Sequence, residues 1–288
     1  MSNDPATNPD TSVAARSLDS HDAVASTRRP SAGAPDPSAV ERIAVGVAVK
    51  AADLVRRRLG SPQTVRTKST PTDVVTAADV DVETLIRREL EAATPGAAIL
   101  GEEGAPVSGR TSIGWIIDPI DGTVNFLYDL PVMSVSIGAT LDGNVVAGAV
   151  VDVVRGDVFH GSAGNGVRRD GDLVSPSATT DLADALVATG FSYAAEVRRR
   201  EGAVVARVLP AVRDIRCFGS AALHLCWVAC GRLEAFYQEG LQEWDVAAGA
   251  FLASEAGAKV ELGSGANGRL VLAATPGVFA PLRTLIRG

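Results

Sequence analysis

A chain of 288 residues is long enough to bury a sizeable core, in one large domain or two closely packed halves. With 46% hydrophobic and 21% charged residues and a formal net charge of −7, the composition suits a soluble globular protein and shows no basic stripe of the kind a nucleic-acid binder carries. No apolar run approaches the roughly 20 residues that cross a bilayer, so no membrane span is expected.

Residues 1–37 hold five of the 15 prolines, with Ser, Asp, Asn and Ala between them and no hydrophobic period. This composition predicts a disordered tail ahead of a folded unit over 38–288. Ser38 is a suitable N-cap for a helix through Val40, Ile43, Val47, Ala51, Leu54 and Val55, which Gly60 ends. A polar loop at 67–73 follows, then a second helix over 79–93, ended by Pro95-Gly96. Short strands are expected at 97–100 and 114–118. Beyond Val132 the pattern becomes β-rich: Asp142-Gly143 separates strands at 134–141 and 145–154, and Asn165-Gly166 is a second turn. After about residue 180, strands at 185–189, 215–218, 233–238, 259–261 and 270–274 alternate with helices at 195–209, 220–229, 246–255 and 276–286. The order suggests stacked layers of sheets and helices. Cys217, Cys226 and Cys230 read as free thiols, which together with the absence of a secretory signal points to a cytoplasmic location. Arg56-Arg57-Arg58 and Arg198-Arg199-Arg200 read as solvated helix faces.

The chemistry concentrates in Trp115-Ile116-Ile117-Asp118-Pro119-Ile120-Asp121-Gly122-Thr123. An apolar strand running into two aspartates is costly to bury unless a cation or hydrogen bonds compensate. Gly122-Thr123 could open a helix whose amides meet an anion. Taken alone, the segment fits a metal–phosphate site or an Asp-rich turn. Glu102 and Glu103 lie at another strand end, and Asp245 precedes the small-residue helix Val246-Ala247-Ala248-Gly249-Ala250, where it could be a plain N-cap. Thr76-Ala77-Ala78-Asp79 resembles a helix cap. Carboxylates at element ends with few histidines suit Mg²⁺ better than Zn²⁺. Three lysines occur in the chain, and Lys68 stands in a polar loop where a compact ammonium near phosphate is plausible. His160 and His224 stand apart from these groups.

These residues carry a resemblance. Asp118–Phe126 and Glu243–Ala250 are similar to the two signatures of the inositol monophosphatase family, and Gly101-Glu102-Glu103 and Lys68–Asp79 are similar to its flanking segments. The four lie in family order, and the resemblance spans roughly residues 38–288. It implies an α/β fold, a layered αβαβα sandwich of the inositol monophosphatase and fructose-1,6-bisphosphatase type, with Mg²⁺-dependent hydrolysis of a phosphate monoester such as inositol 1-phosphate. Two or three metals would be held by Glu102, Asp118, Asp121, Asp245 and the Ile120 carbonyl. Glu102 and Thr123 would activate water, with Asp79 orienting Thr123. Phosphate would meet the backbone of Gly122 and Thr123, and Lys68, Gly219, Ser220, Ala221 and Gln238 would line the substrate, alongside Asp121 and Asp245. A homodimer and lithium inhibition are also implied.

The family often has a glutamate seven residues before the second-signature Asp, contacting an inositol hydroxyl. Here Gln238 stands there, with Glu239 beside it and expected to face the other way. An amide still hydrogen-bonds a hydroxyl but brings no charge. Fructose 1,6-bisphosphate, histidinol phosphate and other sugar phosphates therefore stay open as substrates. A haloacid-dehalogenase-type phosphatase would need Asp-x-Asp at the first strand, and the spacing here is Asp-x-x-Asp. A regulatory protein-binding module with vestigial activity is the reading from another class.

Overall fold

The computed structural model describes residues 35–60, 64–67, 74–265 and 268–288. The tail expected over 1–37 falls almost wholly outside them, as does Lys68.

Helix α1 (Pro37–Arg58) starts two residues earlier than its sequence suggests. Its N-cap is Asp36, whose carboxylate accepts the Ser38 amide at 3.0 Å, and Pro37 takes the first turn, where no N–H is needed. Its buried stripe runs Val40, Ala44, Val47, Ala51 and Val55. Arg56 is not simply solvated: it donates to the Val153 carbonyl at 2.6 Å and pairs with Asp53. A hairpin of β1 (Thr64–Thr67) and β2 (Val74–Thr76) leads into α2 (Ala77–Ala93).

Strands β3 (Ala98–Gly101) and β4 (Ile113–Asp121) are parallel. After a short helix α3 (Thr123–Leu127) come β5 (Ser134–Leu141), β6 (Asn144–Asp152), β7 (Val158–Ser162), β8 (Val167–Arg169) and β9 (Asp172–Leu173). These strands form a seven-stranded sheet in sequence order. The second half runs β10 (Leu186–Thr189), α4 (Ala195–Val208), β11 (Asp214–Arg216), α5 (Ala221–Ala229), β12 (Ala235–Leu241), α6 (Glu243–Glu255), β13 (Lys259–Gly265), β14 (Gly268–Ala274) and α7 (Pro276–Arg287). Its five-stranded sheet has the order β11-β10-β12-β14-β13.

Helices α1 and α2 cover one face of the larger sheet, and α5 and α6 lie between the two sheets. Val208 of α4 and Val278 and Leu282 of α7 close the outer face of the smaller sheet over Val187, Tyr237 and Leu272. The layers are αβαβα, as the resemblance implies. Burial on two sides explains why α5 and α6 lack a polar stripe: every residue of α5 is buried. Small residues permit the close approach. A Cβ on Gly148 of β6 would come within 3.2 Å of Ala248 on α6, and one on Gly249 within 2.8 Å of Leu225 on α5. Among the described residues, no helix is long and apolar enough to cross a membrane.

Candidate active site

Strand β4 is interrupted where its aspartates begin. Asp118 lies opposite Ser136 of β5 and Asp121 opposite Ser134, so β4 advances three residues while β5 advances two. Strand side chains alternate faces, and residues three apart would ordinarily point to opposite sides. The extra residue at Pro119-Ile120 forms a bulge that returns both carboxylates to one side. Pro119 suits the bulge because it has no N–H to give a ladder.

Asp121 is buried and thoroughly hydrogen-bonded. Its Oδ2 accepts Ser220 Oγ at 2.5 Å, the Ala222 amide at 2.8 Å and Ser134 Oγ at 3.1 Å, while Oδ1 accepts the Ala221 amide at 3.1 Å. Three of these donors belong to the start of α5, where the helix dipole also favours negative charge. Burial pushes the Asp121 carboxyl up from its ordinary value, and the hydrogen bonds only partly oppose it. Ser220 is the N-cap of α5, so the cap and the carboxylate share one hydroxyl.

Asp118 is as deeply buried but differently surrounded. It accepts the Ile120 amide at 3.1 Å. Burial first, then the charges of Glu102, Asp121 and Asp245, then a hydrogen bond with Glu102, hold its carboxyl well above the usual range. Ser136, directly across from it, has a buried hydroxyl with no hydrogen-bond partner among the described residues. Glu102 follows the end of β3 and is half-buried. Asp245 is not the N-cap of α6: Gln242 holds that position, and Asp245 sits three residues in, accepting the Gln242 amide at 2.6 Å.

Thr123 Oγ1 lies 3.0 Å from Asp79 Oδ1 and 3.1 Å from the Ile120 carbonyl, with one proton to give. Asp79 is fully buried at the third position of α2 and closes a capping box with Thr76, whose amide and hydroxyl reach its Oδ2 at 2.8 and 2.5 Å. Burial raises the Asp79 carboxyl, against the hydrogen bonds from Thr76 and Thr123. Gly122 caps α3 with φ of 106°, and a Cβ there would lie 3.1 Å from the Val132 carbonyl.

Two contributors escaped sequence reasoning. Asn125 donates to the Val132 and Phe218 carbonyls at 2.7 and 2.6 Å, stapling α3 to the loop that carries Gly219. A lone amide between Val124 and Phe126 was its only trace. Ser134 gave no signal, because its partner is set by the bulge.

Other expected residues are placed less directly. Ser220 and Ala221 donate to Asp121, and the Gly219 carbonyl would lie 3.2 Å from a Cβ on Gly122. Gln238 and Glu239 lean over different neighbours, Gly190 and Gly265, yet both line one cavity of about 270 Å³ with Thr189, Arg200 and Glu201, apart from the carboxylate cluster. Gln238 and Glu239 pair in regular register with Val271 and Leu270, and the register shifts beyond them, before Leu241. His160 binds Glu41 of α1 at 2.7 Å, and His224 packs among Phe218, Trp227 and Phe236. Neither joins the site.

Among the described residues, no three His, Cys, Asp or Glu side chains form a finished metal-holding group. What the fold assembles is charge: Glu102, Asp121 and Asp245 all act on buried Asp118. A hard cation would offset that repulsion, and oxygen donors fit one, with the Ser136 hydroxyl nearby lacking a partner among the described residues.

Comparison with known proteins gives a consistent result. The family model described as "Inositol monophosphatase family" matches residues 36–285. Inositol-1-monophosphatase SuhB of Mycobacterium tuberculosis is 43% identical, over 84% of this chain and 91% of that protein. The crystal structure of extragenic suppressor protein suhB from Bartonella henselae aligns with a TM-score of 0.81 at 32% identity, covering 86% of this chain and 98% of that one. Nus factor SuhB of Escherichia coli is 34% identical, over 75% of this chain and 82% of its own.

Proposed function

Since this chain belongs to the inositol monophosphatase family of phosphoric monoester hydrolases, we propose that it hydrolyses inositol 1-phosphate to inositol and phosphate with Mg²⁺. The observation that carries this reading is buried Asp118, crowded by three carboxylates and opposite a serine with no partner among the described residues. Glu102, Asp118, Asp121, Asp245 and the Ile120 carbonyl would hold two or three ions. Asp121 Oδ1, with one hydrogen bond, keeps a lone pair for the purpose. Bound Mg²⁺ supplies a water of lowered pKa and neutralises charge on the leaving oxygen.

The chain's own residues do the rest. Asp79 accepts the hydrogen bond of the Thr123 hydroxyl, which turns the Thr123 lone pairs toward a water, and Glu102 takes a proton from that water. The amides of Gly122 and Thr123 meet phosphate oxygens, fixing an in-line approach. Gly219, Ser220 and Ala221 wall the site beside Asp121. Lys68 would approach the phosphate, and Gln238 would hydrogen-bond a hydroxyl of the alcohol. Residues 38–288 would form one catalytic domain, working as a cytoplasmic homodimer sensitive to lithium and without a nucleic-acid partner. The resemblance supports these further features.

The test is phosphate release from inositol 1-phosphate, fructose 1,6-bisphosphate and histidinol phosphate, with and without Mg²⁺. Inositol 1-phosphate should be preferred, and Asp118→Asn should lower kcat by ~10³-fold or more, as several kcal/mol of charge stabilisation disappear. Preference for another ester would reassign the substrate. A second reading, a regulatory protein-binding role, is favoured by the name of the Escherichia coli relative, Nus factor SuhB. It would prevail if the wild type released no phosphate from any of these esters and Asp118→Asn served equally well in cells.

A further inference from the structure

One carboxylate outside the cluster acts on the loop that carries Glu102. Glu83 lies on α2 four residues after Asp79, on the same helix face, and is only 2% exposed. Its Oε2 accepts the Glu103 amide at 2.8 Å, and its Oε1 accepts the Gly104 amide at 2.7 Å. Arg87, one turn further on, donates to Glu83 Oε1 at 2.7 Å and to the Gly104 carbonyl at 3.1 Å. The loop is thus gripped by three charge-assisted hydrogen bonds and one ion pair.

The same contacts explain the glycines around Glu102-Glu103. A Cβ on Gly101 would lie 2.7 Å from Glu83 Oε1 and 2.8 Å from Arg87 Nη2. One on Gly104 would lie 2.8 Å from Glu83 Oε1 and 3.0 Å from Arg87 Nε. Both flanking residues must lack a side chain for the loop to settle on this pair, and that contact fixes the backbone of Glu102 between them.

We propose that Glu83 is a positioning residue that holds Glu102 toward Asp118, so that one face of α2 sets both Thr123, through Asp79, and Glu102, through Glu83. This rests on the reading of Glu102 as a metal ligand. A helix tie with no bearing on the metal would use the same bonds, so the test measures more than turnover.

Glu83→Gln keeps the side chain's shape but removes the charge and sets an NH₂ against one of the two loop amides. Its Mg²⁺ dissociation constant by calorimetry should rise ~10–100-fold, the usual effect of losing a partner that orients a ligand. Hydrogen exchange at the Glu103 and Gly104 amides should accelerate in the absence of metal, and kcat should fall with KM for the ester unchanged. Leu90→Ala, buried on the same helix, is the control: it should lower stability and leave Mg²⁺ affinity intact. Should Glu83→Gln fail to fold, Gly104→Ala gives the same readouts. Wild-type affinity together with wild-type protection of the two amides in the variant would overturn the inference, as would equal loss of affinity in Leu90→Ala. If the wild type bound no Mg²⁺, the metal reading would fall, and metal-free amide exchange would still decide whether Glu83 holds the loop.

Discussion

Asp118 and Asp121 stand at the two ends of one bulge, both buried, and the protein treats them in opposite ways. At the α5 end, Ser220, Ala221, Ala222 and Ser134 all donate to Asp121. At the β3 end, Asp118 receives one backbone amide and faces three carboxylates. Even the cross-strand serines differ: Ser134 bonds its aspartate, and Ser136 bonds nothing among the described residues. Hydrogen bonds support the charge of Asp121, whereas Asp118 is left to be balanced from outside. That asymmetry distinguishes a scaffold carboxylate, which also has a lone pair to lend, from one crowded by like charge that a cation would offset.

The comparison is most sharply tested by matched substitutions. Asp121→Asn turns an amide NH₂ toward a set of donors and should lower stability by about 3 kcal/mol, because buried donors lose their acceptor. Asp118→Asn removes a disfavoured charge and should leave the metal-free protein as stable as before or more so. Urea unfolding of both variants in EDTA decides it; equal destabilisation would erase the distinction between the two ends.

A smaller effect involves His224, one turn into α5 beyond Ser220. Burial pushes its imidazole down to about 3 from an ordinary 6.5. The folded protein therefore keeps it neutral, while the unfolded chain takes up a proton below 6.5, so stability is present above that value and is lost as pH falls toward 3. Between about pH 7.5 and about pH 5 this amounts to roughly 2 kcal/mol. His224→Phe should flatten that part of the pH dependence, and an unchanged slope would show that this region does not share the cost of burial seen around Asp118.

The smallest expected effect separates the serines. Ser134→Ala should cost about 1 kcal/mol through its lost bond to Asp121, and Ser136→Ala close to nothing. Equal thermal shifts would mean that the hydroxyl opposite Asp118 has a partner after all.

Much of this was legible along the chain. The Thr76–Asp79 cap, the Asp142-Gly143 turn and most element bounds follow from local spacing, because their partners lie within a few residues. The two-faced burial of α5 and α6 was less visible, since a helix between two sheets has no polar stripe to mark it. The N-cap alternative open to Asp245 is not the one the fold takes, because Gln242, a poorer capping residue, holds that place and Asp245 sits three residues in. Gln238 and Glu239 were expected to diverge, and they do lie against different neighbours, Gly190 and Gly265, although one cavity reaches both.

The sequence by itself determined the chemistry: hard oxygen donors at element ends, glycines where backbone must pass closely, and family membership through four ordered motifs. Only the tertiary structure decided what each carboxylate does. Asp121 meets Ser220 and Glu83 meets Gly104 across long stretches of chain. Whether a buried charge is supported or left bare depends on those distant donors, and local propensity carries no information about which of them the folded path will deliver.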